Sequence, residues 1–184
     1  MAQRWLVVAA TAAEAAHIPA DLPLVITGLG RTAAAVETTR ALAAYDDLDG
    51  LTVLNLGTAG ALRDGLTGLH EPGTVLNHDI NAEAIRALGY DPEERLETGP
   101  GELVLASGDL FVSDPAVRER LARQAHLVDM EGYAVAAAGA MLGVPTRLVK
   151  HVSDSADESA GTTWVEGVDA CARVLAEWVG TRLA

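Results

Sequence analysis

The sequence predicts an α/β fold: a single-domain sandwich with a central, mostly parallel mixed sheet flanked by helices. Three observations support this prediction. Short apolar runs recur along the 184 residues, and helical stretches separate most of them. This alternation is typical of strands and helices that wind into one sheet. The length suits one compact domain, residues 1–184, and is too short for two ordinary ones.

The apolar runs are rich in Leu, Val and Ile and have the length of buried strands. They cover residues 5–10, 24–27, 51–56, 74–77, 103–107, 127–130 and 147–153.

Helices are predicted at residues 32–44, 115–125, 131–142 and 164–179. Asp114 and Pro115 suit the N-cap and first position of the second helix. Gly143 and Pro145 suit the end of the third.

The last helix has Thr163 and Glu166 at the spacing of a capping box. It also has an apolar stripe at helical spacing that we expect to face the core, which predicts a buried thiol at Cys171. The stripe consists of Trp164, Val168, Cys171, Leu175 and Trp178. The acidic segment 90–101, with Pro and Gly near both ends, reads as an exposed loop.

The composition excludes several functions. The formal net charge of -13 disfavours binding to nucleic acid or to an anionic membrane. The single cysteine excludes an intramolecular disulfide and fits a reducing, cytoplasmic setting, and no Cys/His cluster has the spacing of zinc ligands. The apolar run 5–10 is too short for a membrane span and lacks the features of a signal peptide.

Polar residues follow five of the predicted strands. In open α/β sheets ligands bind outside the carboxyl ends of the strands, so we expect these residues to meet at one rim. They are Glu14, the segment 57–60, the segment 107–109, Asp129 with Glu131, and Ser153 with Asp154.

Two segments have the glycines of a ligand-binding turn. In NLGTAGAL, Gly57 and Gly60 predict a turn whose backbone could approach a ligand and offer its N–H groups. Gly28 and Gly30 suggest a dinucleotide fingerprint, but the third glycine is replaced by Ala33, which argues against such a cofactor.

Two of the candidate acids, and two histidines, also have a structural interpretation. Glu131 could be a surface acid at a helix N-terminus, and Asp154 a cap or turn residue. His78 and His151 have no ligand partner at a telling spacing, so core or surface roles are favoured for both.

Four segments resemble the purine nucleoside phosphorylase superfamily. VDMEGYAVAAAGAMLGVPTRLVKHVSDSAD, residues 128–157, resembles its signature, a Met-Glu helix start followed by a strand that ends in Ser-Asp. NLGTAGAL resembles the family's glycine turn, and SGDLFVSD resembles the stretch that walls the base pocket. VVAATAAEAAHI carries Glu14 where the hydrolytic branch keeps an acid. The resemblance is to the branch of 5'-methylthioadenosine/S-adenosylhomocysteine nucleosidases, with related futalosine hydrolases.

The resemblance implies roles for the reacting groups and the sugar. Asp154, preceded by Ser153, would protonate the purine at its five-membered ring. Glu14 would orient or deprotonate the attacking water. Glu131 would hold the ribose hydroxyls, with Met130 packed against the sugar.

The resemblance also implies contacts for the rest of a nucleoside. Phe111 would stack on the base, and the Val112 backbone would hydrogen-bond its edge. Ala59 and Gly60 would line the ribosyl site, and Trp164 would lie near the 5' substituent.

Three features depart from the family pattern. The chain is shortened between Tyr90 and Leu103, near the region from which family dimers take part of the 5' pocket. The acid-rich start of the family is thinned to Ala12, Ala13 and Glu14. Lys150 stands where the family usually has arginine.

Together these observations predict a cofactor-free N-ribosyl hydrolase that acts on a purine nucleoside or a 5'-modified analogue, without a metal and as a homodimer. The alternatives are a phosphorylase of the same fold and a catalytically silent nucleoside-binding protein. Asn55, where such phosphorylases tend to have arginine, disfavours the phosphorylase because a phosphate dianion needs local positive charge.

Overall fold

The computed structural model describes residues 3–183. It contains every predicted strand and helix, together with two short strands and one short helix that the sequence did not predict. The strands are β1 (Arg4–Ala9), β2 (Leu24–Ile26), β3 (Leu51–Ala61), β4 (Leu69–His70), β5 (Thr74–Asn77), β6 (Arg95–Glu97), β7 (Val104–Ser107), β8 (Leu127–Asp129) and β9 (Thr146–Asp154). The helices are α1 (Arg31–Ala43), α2 (Ala82–Ala87), α3 (Pro115–Ala122), α4 (Gly132–Met141) and α5 (Ala160–Arg182).

All the strands join one mixed sheet. Its main path runs β2-β1-β3-β8-β7-β5-β6, and β9 pairs with both β3 and β4. The β1–β2, β1–β3, β3–β9, β5–β7 and β7–β8 pairs are parallel, whereas β3–β8, β4–β9 and β5–β6 are antiparallel. The predicted fold class, a mostly parallel sheet flanked by helices, is confirmed.

Strand β3 organises the sheet because it pairs with three neighbours. One edge follows β9 from Val53 to Gly60. On the other edge β1 pairs with residues 51–55, and β8 takes over at Gly60 and Ala61. Residues 56–59 therefore have no strand partner on that edge, and the sheet opens there.

The two faces of the sheet bury different side chains, as the alternation of a strand requires. Leu6 and Val8 of β1 pack with α1 and α4, in a cluster that includes Leu42 and Val135. Val7, on the opposite face, packs with Leu54, Leu56 and Val149 against Leu175 and Val179 of α5. In α5 the predicted stripe faces the core, and Cys171 is buried as expected. No helix within residues 3–183 is long and apolar enough to cross a membrane.

Three local predictions were wrong. Gly57 and Gly60 lie inside β3 and not in a turn, because β9 hydrogen-bonds along the whole segment. The predicted loop 90–101 contains β6, which pairs with β5, and a buried Thr98. Helix α5 starts at Ala160, so Thr163 lies in its first turn and donates to the Ser159 carbonyl; no capping box forms.

Candidate active site

A cavity of about 180 Å³ opens at the carboxyl-terminal ends of β1, β8 and β9, beside the last residues of β3. All ten predicted site residues line it: Glu14, Ala59, Gly60, Phe111, Val112, Met130, Glu131, Ser153, Asp154 and Trp164. The cavity is also lined by six residues outside that set: Ala10, Leu29, Thr58, Leu110, Val128 and Asp129. The structure thus places the predicted residues together, and their individual roles stay predictions.

The Glu14 carboxylate lies at the edge of β3 where residues 56–59 have no strand partner, and it accepts a backbone hydrogen bond there. Its Oε1 accepts hydrogen bonds from the Thr58 backbone N–H (2.8 Å) and the Thr58 hydroxyl (2.7 Å). Its Oε2 accepts from the Thr11 backbone N–H (3.2 Å) and the Thr11 hydroxyl (3.0 Å). These four donors fix the orientation of this buried side chain.

The predicted use of the Gly57–Gly60 segment therefore needs correction. The Thr58 N–H, which we expected to face a ligand, serves the Glu14 carboxylate. Gly57 is needed because a Cβ at this position would lie 3.0 Å from Glu14 Oε1 and 3.5 Å from Lys150 Nζ. What approaches the glycine is a side chain of the protein itself.

Asp154 reaches the cavity through a β-bulge. Ala59 of β3 faces Val152 of β9, but the next residue, Gly60, faces Asp154, so Ser153 is the extra residue. Bulges of this kind re-aim side chains and are common beside active sites. The Asp154 carboxylate accepts hydrogen bonds from the Ala156 N–H (2.8 Å) and the Ser153 hydroxyl (2.7 Å).

Gly60 leaves room for that carboxylate. A Cβ at Gly60 would lie 3.0 Å from Asp154 Oδ1 and 3.1 Å from the Ala156 methyl group. Each of the two candidate catalytic acids therefore lies against a glycine of β3.

Asp129 and Lys150 form an ion pair beneath the cavity, with Nζ and Oδ2 2.8 Å apart and both side chains 2% exposed. The Asp129 carboxylate also accepts a hydrogen bond from the Gly132 N–H at the start of α4 (3.0 Å). Burial alone would lower the pKa of Lys150, but the attraction and hydrogen bond of Asp129 outweigh it and raise that pKa above its ordinary value. Lys150 is therefore a fixed buried cation. The Asp129 carboxylate neutralises this charge.

Glu131 precedes α4 and is 7% exposed, so the alternative of a surface acid is wrong. Its Oε1 accepts a hydrogen bond from the Gly30 N–H at 2.7 Å. Burial, with a smaller effect from the Asp129 charge, raises the pKa of Glu131 to about 7. Gly30 and Lys150 oppose this rise without cancelling it. The Gly28–Gly30 segment, considered for a dinucleotide, therefore supplies an N–H to a side chain of the protein.

The mouth of the cavity has an apolar lip, formed by Leu29, Leu110 and Phe111, which are 63%, 48% and 47% exposed. Arg31 ties the two segments of this lip together. Its backbone N–H donates to Asp109 Oδ1 (2.7 Å), and its guanidinium pairs with Asp79 (3.1 Å). An apolar lip beside buried polar groups suits a ligand with an aromatic ring and a polar remainder.

The remaining candidates lie elsewhere. His78 and His151 do not line the cavity. The His151 ring contacts the Val152 carbonyl. Within residues 3–183, no group of three His, Cys, Asp or Glu side chains is placed to hold a metal ion.

Comparisons with known proteins give a consistent result. The model of the phosphorylase superfamily matches residues 81–180. An aminodeoxyfutalosine nucleosidase of Helicobacter pylori is 31% identical over 151 residues, which cover 69% of this chain and 66% of that protein. A 5'-methylthioadenosine/S-adenosylhomocysteine nucleosidase of Staphylococcus epidermidis is 27% identical over 186 residues, or 86% of this chain and 79% of that protein. The chain thus spans just under two thirds of the first of these relatives.

Solved structures match over nearly the whole chain. A mutant Helicobacter pylori nucleosidase with 5'-methylthioadenosine in its active site has a TM-score of 0.86 and 24% identity, covering 100% of this chain and 99% of that one. Native futalosine hydrolase of Helicobacter pylori has a TM-score of 0.85 and 23% identity, covering 100% and 98%. At these identities the likeness establishes a shared fold.

The raised pKa of Glu131 predicts a pH-dependent stability. The folded protein holds the Glu131 proton up to about pH 7, whereas an unfolded chain releases it near the ordinary value of 4.5. This contribution to the free energy of unfolding is present at low pH and is lost as the pH rises through about 7. Glu131→Gln stays neutral, so it should gain stability relative to the wild type between about pH 5 and about pH 8 in urea titrations. A difference that does not change with pH would contradict the assignment.

Proposed function

The chain belongs to the phosphorylase superfamily, and on that premise we propose that it is an N-ribosyl hydrolase. Its substrate is a purine nucleoside or a 5'-modified purine nucleoside, and its products are the free base and the ribose derivative. One observation supports this activity most strongly. Two acids, Glu14 and Asp154, reach the same cavity from different strand ends, each held against a glycine of β3.

Cleavage of a ribosyl–base bond needs two groups of this kind. Positive charge develops on the sugar and negative charge on the departing base, so an acid must protonate the base while a carboxylate directs water to the sugar. Asp154 gives its proton to a nitrogen of the five-membered ring of the purine. Water attacks C1' as the C1'–N bond breaks, and Glu14 orients that water and takes its proton. The resulting base and ribose are neutral.

The remaining residues hold the two halves of the nucleoside. Glu131, when ionised, accepts hydrogen bonds from the ribose hydroxyls, and Met130 packs against the sugar. Phe111 stacks on the base, and the rest of the apolar lip covers it. The backbone of the buried Val112 forms a hydrogen bond with the edge of the base. Ala59, Gly60 and Ser153 line the ribosyl side, and Trp164 lies near the 5' substituent.

The charges of the cavity favour water over phosphate as the nucleophile. Among the described residues, the cavity wall includes Glu14, Asp129, Glu131 and Asp154 but no Arg or Lys. Lys150 lies beneath the wall and is already paired with Asp129. Asn55, 1% exposed, donates to the Val8 carbonyl and adds no charge. A phosphate dianion would meet several carboxylates and no unpaired cation.

A homodimer is part of the proposal, because large apolar side chains lie exposed outside the cavity. Met141 at the end of α4 is 87% exposed, and Leu88 and Tyr90 are 75% and 72% exposed. Burial of these side chains against a second copy would be favourable, and the Ala-rich α4 permits close packing. Light scattering at micromolar protein should give twice the chain mass; the mass of one chain would refute the dimer.

The proposed location is a reducing, cytoplasmic one, which fits the buried, unpaired Cys171.

Base release should be independent of phosphate, since the cavity offers no site for the dianion. We expect purified protein, screened against a panel of purine nucleosides, to release free base at the same rate with and without phosphate. The sugar product should be free ribose or free 5'-modified ribose. Formation of a ribose 1-phosphate, at a rate that saturates with phosphate, would make the protein a phosphorylase.

Removal of either acid should slow turnover more than it weakens binding. Positioned acids and bases contribute about 10² to 10⁴ in rate, so Asp154→Asn and Glu14→Gln should each lower kcat by about that factor, with little change in KM. Glu131→Gln should also raise KM, because it weakens ribose binding in the ground state. Glu119→Gln, an exposed acid on α3, is the matched control and should keep normal kcat. If Asp154→Asn or Glu14→Gln behaves like the control, the role of that residue is wrong.

A further inference from the structure

We propose that Trp164 is a positioning residue for Glu14 and acts through the hydroxyl group of Thr58. The inference rests on the proposed function, in which Glu14 directs the attacking water, and adds a residue that prepares it.

The three side chains form a continuous chain of hydrogen bonds. The Trp164 indole Nε1–H donates to Thr58 Oγ1 at 2.8 Å. Thr58 Oγ1 lies 2.7 Å from Glu14 Oε1, which also accepts from the Thr58 backbone N–H at 2.8 Å. The chain runs from the start of α5, across β3, to the turn after β1.

Donor chemistry fixes the direction of this chain. An indole nitrogen can only donate, whereas a hydroxyl both donates and accepts. Because Trp164 donates a hydrogen bond to Thr58 Oγ1, the hydroxyl group of Thr58 is left to donate its own hydrogen bond to Glu14. Without the indole N–H, the Thr58 hydroxyl could rotate and donate elsewhere in the cavity.

The location of Thr58 explains why this support matters. Residues 56–59 have no strand partner on the edge that faces Glu14, so neighbouring backbone does not fix this side of β3. The other donors to Glu14, from Thr11, are longer, at 3.2 and 3.0 Å. The short Thr58 hydrogen bonds therefore set the position of Oε1, and Trp164 sets one of them.

An aromatic residue that only walls the cavity would not need its N–H. Trp164→Phe keeps an aromatic ring on the cavity wall and removes the donor, so it separates the two roles. Loss of one neutral hydrogen bond predicts a kcat lower by about three- to tenfold, with KM changed by less than about twofold. Trp178→Phe is the matched control, since its Nε1 also donates to a glutamate, Glu71, outside the cavity.

A double-mutant cycle tests whether Trp164 acts through Thr58. Thr58→Val removes the hydroxyl and should lower kcat by at least as much as Trp164→Phe. In the Thr58→Val background, Trp164→Phe should have no further effect on kcat, because the bond through which it acts is gone. Thr58→Ser keeps the hydroxyl and should restore kcat to near the wild-type value.

The hydrogen bond can also be observed without activity. Among the signals of the three tryptophan indoles in an ¹⁵N NMR spectrum, that of Trp164 should be protected from solvent exchange and should shift in Thr58→Val. The Trp178 signal should not shift.

The outcomes separate this proposal from the proposed function. With an active wild type, three results would overturn the role of Trp164 and leave the proposed function standing. Trp164→Phe could leave kcat unchanged, or it could raise only KM. The effects of Trp164→Phe and Thr58→Val on kcat could also multiply in the double variant. A wild type that releases no base from any nucleoside would overturn the proposed function, and the role of Trp164 with it.

Discussion

The close approach of two carboxylates to the backbone of β3 is the constraint on which the candidate site depends. Glu14 Oε1 and Asp154 Oδ1 each lie 3.0 Å from the point where a Cβ would stand on Gly57 or Gly60. The first contact exists because β1 ends its pairing with β3 at Asn55, and the second because a bulge inserts Ser153 into β9. A strand with side chains at these two positions would displace both acids. The two glycines therefore leave room for the two carboxylates.

The site buries more carboxyl groups than cations. Glu14, Asp129, Glu131 and Lys150 are all less than 10% exposed, and only Lys150 is cationic. Burial, with a smaller effect from the Asp129 charge, raises the pKa of Glu131 to about 7, and Lys150, which is paired with Asp129, opposes this rise without cancelling it. The same shortage of positive charge disfavours a phosphate dianion. Burial and the shortage of positive charge thus raise the pKa of Glu131 and support the proposed use of water in place of phosphate.

The sequence was informative where structure is local. Asp114 caps α3 as predicted, with Pro115 as its first residue, because a cap needs only its own neighbours. The strand-end rule placed Glu131 and Asp154 at one rim. Pairing between distant segments could not be predicted from the sequence. For example, β6 has a single apolar residue, Leu96, and forms only because β5 lies beside it. The Asp129–Lys150 pair was also missed, although Asp129 was noted at its strand end, because it forms only when β8 and β9 both pair with β3.

The most direct test of the account is a crystal structure with a purine C-nucleoside, in which a carbon–carbon bond to the sugar prevents cleavage. The account predicts the five-membered ring of the base beside Asp154, with a ring nitrogen within about 2.6 to 3.2 Å of its carboxyl group. A water molecule should lie between Glu14 and C1' on the opposite side of the sugar, with the ribose hydroxyls at Glu131. A base held away from Asp154, or a sugar turned so that Glu14 faces no part of C1', would contradict the account.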